Sequence, residues 1–101
     1  MAFQQHNPPH PGALILRTYI EPFKEITANK VADQLGVARS TFNRLINGNA
    51  GLSPEMAVRL SKVLGGTAQS WLTLQGSFDL YNAGQKVDTK ALKLIDFDQV
   101  A

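Results

Sequence analysis

The chain has 101 residues, no cysteine, and ten Lys and Arg against eight Asp and Glu, a net charge of +2. That length supports one domain rather than two, and the missing thiol excludes a disulfide framework, a cysteine nucleophile and a thiolate metal site. The longest apolar run, Ala13-Leu14-Ile15-Leu16, falls far short of the about 20 residues a membrane span needs, and the opening Met-Ala-Phe-Gln-Gln lacks the basic start and apolar core of a secretory leader, so the cytoplasm is the expected compartment.

Gln4 to Pro11 holds three prolines and two histidines; each proline removes a backbone donor and disfavours a helical residue before it, so residues 1–10 read as an extended arm. A helix is expected from Pro11, a good first-turn residue, through Leu14, Ile15 and Tyr19 to Pro22, with Phe23 to Ile26 as connector. Thr27 is a candidate N-cap for a helix of about two turns carrying Val31, Ala32 and Leu35 on its apolar stripe and stopped by Gly36. The next helix, over 38–47, sets Phe42, Leu45 and Ile46 on one face at i, i+3 and i+4. Ser53-Pro54-Glu55 is the clearest helix start: a hydroxyl cap, proline at the first position and an acid favoured by the helix dipole. That helix should run from Pro54 to Leu64 and bury Met56, Ala57, Leu60, Val63 and Leu64, with Gly65-Gly66 as the stop.

Thr67 caps a last long helix with Trp71, Leu74, Phe78 and Tyr81 at spacings of three and four, ending near Gly84. Trp71 and Leu74 are expected in the core, whereas Phe78 and Tyr81 fit core or partner surface equally well. From Gln85 onward the pattern fits either strand or helix. The expected fold is therefore all-α: a five-helix bundle spanning 11–84, followed by a weakly specified tail over 85–101.

The pair 28–35 and 38–47, two short helices joined by a glycine-containing turn, is a helix-turn-helix. Its second helix turns Arg39, Ser40, Asn43, Arg44 and Asn47 outward, with Thr41 at the edge; these side chains can read base edges or grip phosphates, and none is acidic. The segment also sits in the basic part of the chain. Residues 1–66 hold seven basic groups against four acidic ones, while 67–101 hold three against four. The bland reading, a helical hairpin with a solvated polar face, is disfavoured by that clustering.

The string from Ala28 to Gly48, with Leu35-Gly36-Val37, Arg39-Ser40-Thr41 and Asn47-Gly48, resembles the lambda-repressor-like helix-turn-helix. With His10-Pro11-Gly12, Glu21-Pro22, Ser53-Pro54-Glu55-Met56-Ala57-Val58-Arg59-Leu60, Trp71-Leu72-Thr73-Leu74-Gln75 and Asp79-Leu80, residues 8–84 resemble the HigA-type antitoxins, or virulence-associated protein I group, of type II toxin-antitoxin pairs. The resemblance implies a protein that neutralises a RelE-like mRNA-cleaving toxin and represses its own operon as a homodimer on palindromic double-stranded operator DNA. By motif position it implies base contacts from Arg39, Ser40 and Arg44, and neighbouring base or phosphate contacts from Thr41, Asn43 and Asn47. Two positions depart from the pattern. Ala38 replaces the usual Ser or Thr cap of the reading helix, and Ala28 replaces a phosphate-binding Gln, which leaves that contact to Thr27, Asn29 or Lys30.

Other readings rest on less. His6 and His10 have no carboxylate or thiolate nearby to complete a metal site, and His10 is better placed as a helix-start residue. Ser40, Ser53 and Ser70 lack a nucleophile-elbow context, and Gly48 to Gly51 and Gly65-Gly66 lack a phosphate-loop pattern. No cofactor and no catalytic activity are expected. The rivals are a stand-alone repressor without a toxin and a helical module that binds protein only.

Overall fold

The computed structural model describes residues 7–100; the segment read as an extended arm over 1–10, and with it His6, therefore lies mostly outside the described residues. The helices are α1 (Pro11–Ile15), continued by a π-helical turn over Leu16–Ile20, then α2 (Ala28–Leu35), α3 (Arg39–Ile46), α4 (Pro54–Val63), α5 (Ala68–Lys86) and a short α6 (Phe97–Val100), with a 3-10 turn at Thr89–Ala91. This is an all-α, lambda-repressor-like five-helix bundle with a tail, and no strand occurs among the described residues.

The starts of α1, α2, α4 and α5 follow from their caps. The Gly12 N–H donates to His10 Nδ1 at 2.9 Å, so His10 opens α1 with Pro11 in the first turn. Thr27 and Ser53 accept from the Lys30 and Met56 amides, each at 3.1 Å. Thr67 and Ser70 form a reciprocal capping box at the head of α5.

The first helix departs from the expected continuous α-helix. After Ile15 it widens, and the Glu21 N–H donates five residues back to Leu16 O at 2.9 Å. Ile15 and Ile20 are both buried, yet five residues of α geometry would turn them well apart; the wider i→i+5 turn brings both toward the core.

The core gathers Ile15, Ile20, Val31, Ala32, Leu35, Phe42, Leu45, Ile46, Leu52, Met56, Ala57, Leu60 and Trp71. α1 packs on α3 and α5, α2 on α3 and α4, and α4 on α5. Trp71 lies in the core and its indole N–H donates to Gly65 O at 2.9 Å, the partner a buried indole requires. Leu74, Val63 and Leu64 are only half-buried at the core's edge. Phe78 meets the His10 ring edge-on at a centroid distance of 4.9 Å, and Tyr81 is half-buried.

Gln75 was not foreseen as a core residue. It is buried, its Oε1 accepts the Leu52 N–H at 2.7 Å, and its Nε2 donates to Asp79 Oδ1 at 2.9 Å. The amide thus ties the loop after α3 to α5. Gln75→Leu should cost about 1–3 kcal/mol by orphaning the Leu52 donor, read as a lower denaturant midpoint at unchanged slope.

Beyond α5 the packing stops. Leu92, Leu94, Ile95, Phe97 and Val100 are all exposed, and over 87–100 the only regular pieces are the 3-10 turn and the short α6. The radius of gyration of 17.8 Å exceeds the about 13 Å of a compact 100-residue domain, which reflects this projecting end.

Candidate nucleic-acid interface

The interface is built on the α2–α3 corner. Gly36 adopts φ +73°, and its N–H donates to Asp33 O at 3.1 Å while the Val37 N–H donates to Ala32 O at 3.2 Å; this paired pattern closes α2 and reverses the chain. A side chain in that left-handed conformation would be strained, so the glycine sets the angle at which α3 leaves. Ala32 is fully buried at the corner, and Phe42, Leu45 and Ile46 bury the inner face of α3. Gly48 repeats the device at the far end: its N–H donates to Leu45 O and the Asn49 N–H to Arg44 O.

With that inner face fixed, Arg39, Ser40, Thr41, Arg44 and Asn47 are exposed, and Asn43 is half-buried. Of the six residues expected on the reading helix over 38–47, five therefore lie on α3, and Asn47 is its C-cap just past the last turn; all but Asn43 are exposed. Ala38 is the N-cap and offers no side-chain hydrogen bond, as its methyl dictates. Ala38→Ser should stabilise the fold by about 0.5–2 kcal/mol, read as a raised denaturation midpoint.

The α2 candidates lie at the start of that helix. The Thr27 hydroxyl is occupied as cap acceptor. Lys30 reaches back so that Nζ donates to Glu25 O at 2.8 Å, and Asn29 is exposed beside it.

Two participants escape a reading of local patterns. The outward face contains no acid of its own, but Asp33 of α2 reaches across the turn to Arg39: Nε donates to Oδ1 at 3.1 Å and Nη2 to Oδ2 at 2.7 Å. The hydrogen bonds from Arg39 hold the Asp33 carboxyl below its ordinary range, with desolvation opposing and the guanidinium charge adding; the same bonds push Arg39 upward. The pair's contribution is therefore present while Asp33 is ionised and is lost as pH falls through that lowered value. Arg59 of α4 is the second: Nη1 donates to Leu35 O at 2.8 Å and Nη2 to Glu55 Oε2 at 3.1 Å, so it caps the end of α2 and braces the corner from behind. The opposite charges of Asp33 and Arg39 lie six residues apart, but their meeting depends on the angle at which the turn sets the two helices; the Arg59 contact, 24 residues away, carried no signal at all.

An exposed basic helix, held by its apolar face at the corner of a five-helix bundle, is the helix-turn-helix arrangement, and the helix-turn-helix family model matches residues 24–71. The chain is 38% identical over 86% of its length to the HTH-type transcriptional regulator YddM of Escherichia coli, covering 90% of that protein. It is 34% identical over 85% of its length to virulence-associated protein I of Dichelobacter nodosus, covering 77% of it. Among solved structures, antitoxin GraA superposes with a TM-score of 0.78 at 35% identity, over 90% of this chain and all of that one; GraA is also known in complex with its operator. Pseudomonas aeruginosa antitoxin HigA, solved with the higBA promoter, superposes with a TM-score of 0.73 at 30% identity, over 87% of this chain and 99% of that one. The chain belongs to the family of HigA-type antitoxins and virulence-associated helix-turn-helix proteins, a family of regulators rather than of enzymes. No described helix is long and apolar enough to cross a membrane.

Proposed function

We propose that this protein is a DNA-binding antitoxin that represses its own operon as a homodimer and neutralises a RelE-like mRNA-cleaving toxin. The observation that carries the DNA half is the outer face of α3, where two arginines, two hydroxyls and Asn47 stand exposed on a rigidly seated helix. The HigA neighbour with its promoter and the GraA neighbour with its operator support the same use of this fold. On this reading residues 11–84 form the DNA-binding unit. Arg39, Ser40 and Arg44 meet bases, Thr41, Asn43 and Asn47 meet neighbouring bases or phosphates, and Lys30, Asn29 and Thr27 lie along the backbone.

A single reading helix spans only a few base pairs, so tight binding requires two of them about 34 Å apart on a palindrome. The uncovered apolar groups of the tail, with Leu80 late on α5, supply surface for a second copy or for the toxin.

The test is binding to the DNA upstream of its own gene against a scrambled duplex across ~50–200 mM salt. Preference of ~10³-fold or more, with one dimer per palindrome, is the expected result. Equal and steeply salt-sensitive binding to both duplexes contradicts it and leaves a protein-binding module. A stand-alone repressor is the second reading, since it would use the same exposed face of α3; co-purification with a small basic protein encoded beside the gene separates the two.

A further inference from the structure

We propose that Asp33 is a specificity-determining positioning residue, whose carboxylate holds one edge of the Arg39 guanidinium so that its other edge is presented to a guanine. The inference rests on the reading of α3 as the base-contacting helix.

Arg39 is the first residue of α3, the end from which helix-turn-helix proteins reach base edges. An arginine is long and flexible, and a free one would sample many directions. Here Asp33 takes the side edge of the guanidinium with both carboxylate oxygens, Nε at 3.1 Å and Nη2 at 2.7 Å. Of the five guanidinium hydrogens this consumes two. Those remaining include the pair on Nη1 and Nη2 that points off the end of the group, and such a planar fork matches the O6 and N7 acceptors of guanine. The carboxylate is therefore compatible with base reading, and it restricts the arginine to the direction in which the fork faces outward.

Two observations argue against a mere stabilising ion pair. Both side chains are more than half exposed, at 58% and 55%, and exposed pairs contribute little to stability. Asp33 also lies in the last turn of α2, where the helix dipole disfavours an acid. An acid placed there on a DNA-facing corner also repels phosphate. Its presence weakens attraction to duplexes of any sequence, so the Arg39–Asp33 pair trades general affinity for discrimination.

The experiment selects duplexes from a randomised pool with the wild-type protein, D33N, R39A and the D33N/R39A double variant, then measures each on the selected duplex and on one with the Arg39-dependent guanine replaced. Thermal unfolding of each variant confirms that it is folded. The wild type should show a guanine position that R39A no longer prefers. D33N should lower preference at that position about tenfold, leave the position dependent on Arg44 unchanged, and bind random DNA as tightly as the wild type or more so. The double variant should discriminate no worse than R39A. If D33N keeps full preference at the Arg39 position, whether or not it binds all duplexes more tightly, Asp33 is a repulsive charge only and the inference falls while the DNA-binding reading stands. If the wild type selects no sequence at all, the reading of α3 itself fails, and the role of Asp33 with it.

Discussion

Replacing Gly12 by alanine should nearly abolish the fold. Gly12 is buried in the first turn of α1, and a Cβ added there would overlap the carbonyl of Leu45 in the last turn of α3. The obstacle is main chain, which cannot rotate aside as a side chain would, so α1 would have to lift off α3 or distort the helix that carries the arginines. Overpacking of this kind costs about 3 kcal/mol or more, which for a domain of this size lowers the melting temperature by roughly 12 °C or more. Gly76→Ala is the matched control. That glycine lies inside α5 with open space around it, so alanine there should gain about 0.5–1 kcal/mol. A Gly12→Ala protein melting within a few degrees of the wild type would show that the α1–α3 contact is not close.

Arg44→Ala should relax sequence preference, whereas Lys30→Ala should weaken all DNA alike. Arg44 is exposed, and among the described residues its guanidinium makes a single, long hydrogen bond of 3.4 Å from Nη2 to Asn49 O, so its fork is available for a bidentate base contact. Such a contact discriminates by ~1–3 kcal/mol, a loss of roughly 5- to 150-fold in preference when it is removed. Lys30 is a compact charge whose Nζ now rests on the Glu25 carbonyl at the head of α2. It can move to a phosphate but has no fork to match a base. Its removal should reduce affinity for selected and random duplexes by the same factor and lower the salt slope by about one. Equal losses from both variants on both DNAs would refute the division of labour.

The features these predictions use differ in how far they could be read from the chain. Helix starts were legible because a cap is local: Thr27, Ser53 and Thr67 each bond an amide three residues on. The inner and outer faces of α3 were legible because apolar residues recur at helical spacing and the bundle need only bury them. Missing from that reading were contacts made across elements. Gln75 has no apolar signature, yet it is buried because it satisfies the Leu52 amide. The first helix reads as regular, and its π turn arises only because both Ile15 and Ile20 must reach the core.

By itself the sequence determined an all-α chain, a helix-turn-helix at 28–47 and an outward row of Arg39, Ser40, Arg44 and Asn47 with Thr41 at its edge, since caps, glycine stops and apolar periodicity act over a few residues; Asn43, read as outward too, is half-buried in the fold. Only the tertiary structure decided that Gly12 must be a glycine, that Arg59 braces the corner and that Asp33 grips Arg39. The first two depend on distant main chain brought within contact. The third depends on the angle between two helices, which the turn sets and no periodicity records.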